Sequence, residues 1–173
     1  MKIYKDLLTG DEMFTDSYPM KLVDDCIYEV TGKHVTRKVG DIVLAGANPS
    51  AEEADEGTED AAESGVDIVL NQRLSEIGFL QDKKQFQGWL KDYMKLLSKK
   101  LEEQSPDKVA DFKKRIQPAV VKLMQRHGDF QFFTGESMNA AEGMVAMCEY
   151  RNIGGVDTPI MSFFKDGLIE EKV

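Results

Sequence analysis

Between Lys83 and His127 the apolar residues recur at helical intervals, and this stretch restricts the fold more than any other. Phe86, Leu90, Tyr93, Leu97 and Leu101 follow one another at spacings of four, three, four and four, which puts them on one helix face. Ser105-Pro106-Asp107 reads as a second helix start, with Ser105 as N-cap and Pro106 in the first position, where its missing N–H has no partner to lose. Val109, Phe112, Ile116, Val120 and Leu123 form the second stripe. Pro118 falls inside it and is expected to kink or interrupt that helix. The short link at Gln104-Ser105 implies an antiparallel helical hairpin over residues 83–127.

The polar side of this hairpin is basic. It carries twelve Lys and Arg against five Asp and Glu, a net +7 inside a chain of net −9. Lys91, Lys95, Lys99, Lys100, Lys113 and Lys114 are the candidate patch. A solvated helix face accounts for many such lysines. The local reversal of sign equally suits an acidic partner surface, and both readings stand at this point. The acidity of the chain as a whole argues against a general nucleic-acid binder, because phosphates would be repelled.

The hairpin is set between β-rich segments. Residues 1–40 read as strands and turns: "MKIYKDLL" alternates, "TGDEMF" turns, and the β-branched run from Lys21 reverses at Thr31-Gly32. Residues 45–64, "AGANPSAEEADEGTEDAAES", then contain no aromatic, no Lys and no Arg. Such a run buries too little apolar area to offset its ordering entropy, so a mobile acidic loop is expected. "GVDIVLNQRL" reads as a strand, and strands return after Asp129 in "FQFF", "GMVAMCEYR" and "TPIMSFFKDGLIEEK". The whole is one α+β domain, residues 1–173, with an inserted helical hairpin. No run approaches the length of a membrane span, and the first residues lack an apolar signal core, so a cytoplasmic location is expected.

Recognised catalytic motifs are missing. There is no GxGxxG, no GxxxxGK[ST] and no HExxH. The two histidines, His34 and His127, are too few for a zinc catalyst, and Cys26 and Cys148 lack CxxC partners, so no zinc site is expected. Cys148 reads as a small buried thiol in the run Met144, Ala146, Cys148, Tyr150. The acids Glu52, Glu53, Asp55, Glu56, Glu59, Asp60 and Glu63 invite a calcium test. With Gly57 at the sixth position of an EF-hand loop, Glu63 falls at the twelfth, but Ala54 cannot ligate at the third and Asp is missing from the first. That excludes an EF-hand and leaves either a solvated acidic loop or a weak, carboxylate-driven attraction for Ca²⁺. No obligatory cofactor is implied.

The stretch "FFTGESMNAAEGMVAMCEYR", residues 132–151, packs Glu136, Asn139 and Glu142 between two apparent strands. On local grounds it is a hairpin tip. It also resembles the C-terminal signature of the translationally controlled tumour protein (TCTP) family. "LAGANPSAEEADEGTED" resembles the other signature, and "MKIYKDLLTGDEMFTDSY", "GVDIVLNQ", "LKDYMKLLSKKLEEQSPDKV" and "FFKDGLIEEK" resemble the corresponding family segments in order. The resemblance covers nearly the whole chain. It implies a twisted β "tent" related in fold to the zinc-carrying Rab chaperones, with a helical hairpin and a mobile acidic loop. The cysteine pairs of those zinc-carrying relatives are absent here.

The resemblance further implies a non-enzymatic protein involved in growth control, calcium binding and tubulin or microtubule association. A role as exchange factor or regulator of a Rheb-like small GTPase is the alternative. In that alternative Glu12, within "GDEMF", is the residue the family hypothesis singles out, and Glu136 and Asn139 would border its partner-facing surface. A glutamate entering a GTPase site could compete with phosphate for its lysine and oppose the bound Mg²⁺. The hairpin is the family's suggested tubulin and calcium region. Its lysines suit tubulin's acidic tails better than a cation. Two departures stand out. The signature turn reads Gly-Glu-Ser-Met-Asn, where Gly-Glu-Asn-Met-Asn is commoner. The chain ends in Val173, not Cys, so a dimer through a C-terminal disulfide is not expected.

Overall fold

The computed structural model describes residues 1–38 and 62–173. The strands are β1 (Lys2–Asp6), β2 (Glu12–Thr15), β3 (Met20–Val23), β4 (Ile27–Thr31), β5 (His34–Lys38), β6 (Ala62–Val66), β7 (Ser75–Ile77), β8 (Gln131–Thr134), β9 (Val145–Ile153), β10 (Val156–Phe164) and β11 (Leu168–Lys172). The helices are α1 (Asp67–Asn71), α2 (Lys83–Gln104) and α3 (Val109–Gln125). The strands form three antiparallel sheets, ordered β11-β1-β2, β3-β4-β10-β9-β8-β7 and β5-β6. With α2 and α3 this is the α+β architecture expected from the sequence.

The centre of the six-stranded sheet is covered on both faces, and that changes its burial pattern. Val145–Glu149 of β9 and Pro159–Phe164 of β10 are buried without alternation. Successive strand residues point to opposite faces. Accordingly Phe163 packs on Phe14 of the three-stranded sheet, ring centroids 4.5 Å apart, while Phe164 packs on Tyr93 of α2 at 5.4 Å. Cys148 is buried as expected, but within a run whose every member is covered.

The α2 stripe is confirmed, and in α3 Phe112, Ile116 and Leu123 are buried as expected while Val109 and Val120 are only half-buried. Phe86, Leu90, Tyr93 and Leu97 of α2 are buried together with Trp89, and Leu101 packs on their edge. Phe112, Ile116, Ala119 and Leu123 are the buried face of α3. Asp82 caps α2 by accepting from the Lys84 N–H at 3.0 Å. Ser105 makes no side-chain cap. It precedes a single 3₁₀ turn, Pro106–Lys108, that leads into α3. The expected break at Pro118 does not occur. The helix runs through it from Val109 to Gln125 with Pro118 on the exposed side.

Two local expectations are overturned. The chain reverses at Asp24-Asp25, not at Thr31-Gly32: β3 pairs with β4, and Asp24 and Asp25 lie at φ 55° and 56°. Positive φ at both central residues gives a mirror-image turn whose twist follows that of the strands, and Asp tolerates this region better than most residues. At Thr31-Gly32 the chain instead crosses to the small β5-β6 sheet. Gly32 is required there by close approach, since a Cβ would lie 2.8 Å from Asp67 Oδ1 and 2.9 Å from Val66 Cγ1. The second correction is "DIVLN", which forms helix α1 and not a strand. Its Ile68 reaches the core, and Asp67 Oδ1 accepts from the Ile68 and Lys33 N–H groups at 2.8 and 3.0 Å. A short apolar run does not by itself distinguish helix from buried strand.

Candidate functional site

Two surfaces gather the candidate residues. The first is a polar cleft of about 450 Å³ lined by Lys5, Asp11, Glu12, Asn71, Arg73 and Glu136, among others. Glu12 opens β2 opposite Lys5 of β1, at a register shift between Tyr4 and Lys5. It is a strand residue and not a turn residue, and it is exposed. Its carboxylate makes no hydrogen bond or ion pair among the described residues. Lys5 is paired with Glu171 on the neighbouring β11. That hydrogen bond chiefly holds the Lys5 ammonium above its usual pKa, and the Glu12 charge adds to the effect. Across the cleft Glu136 accepts from Arg73 at 3.2 Å, with both side chains largely exposed. Such a pair contributes little to stability and is easily exchanged for another partner.

The hairpin carrying Glu136 is anchored from beneath. Asp11 Oδ2 accepts from the Ser137 N–H at 3.2 Å and from the Ser137 hydroxyl at 2.5 Å. Gly135 fits only because it lacks a Cβ, which would stand 2.5 Å from Asp11 Oδ2. Asp6, almost fully buried, accepts from the Met144 N–H at 2.7 Å, the Leu8 N–H at 2.9 Å and the Thr9 hydroxyl at 3.0 Å. Burial raises the Asp6 pKa, and these hydrogen bonds partly oppose the rise. The Trp89 indole N–H donates to the Ala140 carbonyl at 2.8 Å, tying the same loop to α2. Asn139 does not line the cleft. Its side-chain oxygen accepts from the Glu142 N–H at 3.1 Å. The structure thus brings Glu12 and Glu136 together and leaves Asn139 and Glu142 inside the loop. Asp11, Lys5 and Arg73 were not foreseen. Asp11 is adjacent to Glu12 in sequence, but nothing local marks it as the anchor of a loop so distant along the chain.

The second surface is the helical hairpin. Nine of its twelve basic residues fall into two sets. Arg115, Lys122 and Arg126 each pair with an acid of the sheets or turns, and Arg115 also with Asp111 of α3 itself. Arg115 donates to Asp111 at 2.7 Å, to the Asp25 carbonyl at 2.6 Å and to both carboxylate oxygens of Asp166 at 3.3 Å. Lys122 meets Asp24 at 2.9 Å, and Arg126 meets Glu149 at 2.8 Å. The Arg115 and Arg126 contacts, whose acceptors Asp166 and Glu149 are mostly buried, hold the hairpin to the rest of the fold. Lys91, Lys95, Lys99, Lys113 and Lys114 are exposed, Lys100 is half-buried, and none forms an ion pair among the described residues.

Of the calcium candidates, Glu52, Glu53, Asp55, Glu56, Glu59 and Asp60 lie outside the described residues. The expected mobile loop, 45–64, lies outside them as far as residue 61. Ala62, Glu63 and Ser64 are in β6, where Glu63 stands opposite Arg37 and is exposed. Among the described residues no group of three or more His, Cys, Asp and Glu is placed to hold a metal ion. Burial pushes the Cys26 and Cys148 thiols up to about 11 and about 12. No helix among the described residues is long and apolar enough to cross a membrane.

The family model of translationally controlled tumour protein matches residues 1–169. The chain belongs to the translationally controlled tumour protein family. It is 62% identical over 172 residues to the homolog of Plutella xylostella and 59% identical to that of Drosophila melanogaster, in each case across 99% of both chains. Among solved structures it resembles the translationally controlled tumor-associated protein p23fyp of Schizosaccharomyces pombe, with TM-score 0.79, 42% identity and full coverage of both chains. It also resembles the TCTP of Caenorhabditis elegans, with TM-score 0.75, 46% identity, and coverage of 100% and 99%. In this TCTP chain the signature turn carries Ser137, and its hydroxyl supplies the donor that Asp11 accepts.

Proposed function

We propose that this chain is a cytoplasmic, non-catalytic interaction protein whose helical hairpin associates with tubulin and microtubules, in the service of growth control. The observation that carries the reading is the division of the hairpin's charges. Once Arg115, Lys122 and Arg126 are engaged with the sheets, the exposed lysines project from an otherwise acidic molecule. Lys91, Lys95 and Lys99 follow one another at i, i+4, i+8 along one side of α2, a row that suits a flexible acidic tail. Co-sedimentation of the charge-reversed hairpin with microtubules tests the proposal. Ca²⁺ is proposed as a weak ligand of the acidic run, held by charge density and screened by salt.

A second reading is regulation of a Rheb-like small GTPase. Glu12 favours it, being exposed without an ion pair beside Lys5, Arg73 and Glu136 in one polar cleft. A carboxylate so placed is free to take a lysine or displace a phosphate on a docked partner. Labelled-GDP release from the GTPase tests it.

A further inference from the structure

An apolar groove of about 760 Å³ runs along the seam between α2 and α3. Met94, Ser98, Phe112, Ile116, Val120 and Val121 form its floor and walls. Phe112 and Ile116 are core residues seen from outside, whereas Val121 is 56% exposed. A hydrophobic side chain exposed between Gln117 and Lys122 on the outer face of α3 marks a place where further apolar contact is available. The rims are charged and unequal: Lys95 and Lys99 stand on the α2 side, Lys113 on the α3 side, and Glu102 is the one acid lining the groove.

We infer that this groove docks an amphipathic helix from a partner protein, with aliphatic anchors on one face and carboxylates flanking them on both sides. Three observations select this occupant. The groove follows two antiparallel helices, so a third helix continues the same ridge-into-groove packing. From Met94 to Glu102 it is about 12 Å long at the helical rise, which accommodates anchors at i, i+3 or i+4, and i+7. It is open to solvent along its length, which a helix tolerates because its outer face remains hydrated, whereas an acyl chain would stay half wet. The lysines on both rims then meet carboxylates on both flanks of the helix and fix its register and orientation. This goes beyond electrostatic association with an acidic tail. The tail requires only the lysines, and the helix requires the floor as well.

The test uses full-length protein and a fluorescent synthetic helix of about five turns, with Leu on one face, Glu on both flanks and Ala elsewhere. Fluorescence anisotropy is expected to show saturable binding. Replacing the Leu residues by Ala at unchanged charge should weaken it by roughly tenfold or more. Val121→Asp in the protein should weaken it similarly, and the exposed position makes a folding defect unexpected. Lys95→Glu with Lys113→Glu should lose the Glu-flanked peptide and gain a Lys-flanked one. Equal binding of the Leu and Ala peptides, wild-type affinity in Val121→Asp, or no binding at all would overturn the proposal. So would a concentration-dependent dimer abolished by Val121→Asp, which would assign the groove to a second copy. Microtubule co-sedimentation plays no part in the measurement, so this inference and the tubulin reading fail separately.

Discussion

Ser137 and Asp11, 126 positions apart in the chain, are joined through one carboxylate oxygen that accepts both the backbone N–H and the hydroxyl of the serine. The bond fastens the signature hairpin to the β1–β2 turn and thereby sets Glu136 beside Glu12. Asp11→Ala removes two hydrogen bonds at an exposed position, where water takes over the donors, and should cost about 0.5–1.5 kcal/mol. Gly135→Ala should destabilise as well, because its methyl would overlap the same carboxylate. Urea unfolding of both variants checks this. Unchanged midpoints would mean that the hairpin holds its place without Asp11.

Glu12→Val separates a partner-facing role from a structural one. The side chain is exposed and stands at the start of a strand, where Val is well accommodated. Stability should change by no more than about 0.5 kcal/mol. If the GTPase reading holds, stimulated GDP release should disappear in the same variant. A melting temperature lowered by many degrees would return Glu12 to a structural role, and wild-type protein that releases GDP no faster than buffer would end the exchange reading.

Lys91→Glu, Lys95→Glu and Lys99→Glu together should weaken microtubule co-sedimentation and preserve the fold, since none of the three lies on the buried stripe. Arg115→Glu serves as the contrast. It breaks the contacts to Asp111, Asp166 and the Asp25 carbonyl, and should lower stability before it affects any partner. Undiminished co-sedimentation of the triple variant would remove the lysine row from the mechanism.

Acid sensitivity follows from Glu29. The Arg151 guanidinium, bonded at 2.9 and 2.6 Å, holds the Glu29 carboxyl below its usual range. A depressed folded value stabilises fully above the unfolded glutamate pKa of about 4.3, and the contribution is lost as pH falls through the folded value. Asp6 has the opposite sign. Burial raises its pKa, so its ionised form carries a penalty that is relieved on acidification. Glu29→Gln should therefore be less stable than wild type at pH 7 and lose less stability on the way to about pH 3. Chemical denaturation across that range measures both effects, and parallel curves for variant and wild type would contradict the assignment.

Calcium affinity should be weak and should fall with added salt, in proportion to the carboxylates retained among Glu52, Glu53, Asp55, Glu56, Glu59 and Asp60. Titration calorimetry at low and high ionic strength decides the matter. Tight binding that survives high salt would require a preformed site.

The amphipathic faces of α2 and α3 were legible because a helix is written in spacings of three and four, and each spacing is local. The hairpin that joins β8 to β9, the burial of Cys148 and the α+β class followed from equally short-range patterns. Strand pairing is a different matter, since it joins residues far apart in the chain. Only the packed molecule decides that β3 turns back at Asp24-Asp25, where Lys122, Lys165 and Arg115 meet the paired acids. Only packing makes "DIVLN" a helix, by taking Ile68 into the core. The continuous burial in β9 and β10 arises because one face of their sheet meets Phe14 and the other meets Tyr93, and no window of sequence contains both neighbours. The same limit applied to charge. Sequence alone determined that the hairpin is basic. Tertiary structure decided that Arg115, Lys122 and Arg126 are held by acids of the sheets and turns while the Lys91–Lys95–Lys99 row remains exposed, because whether a charge is paired depends on what the fold brings within a few ångströms of it.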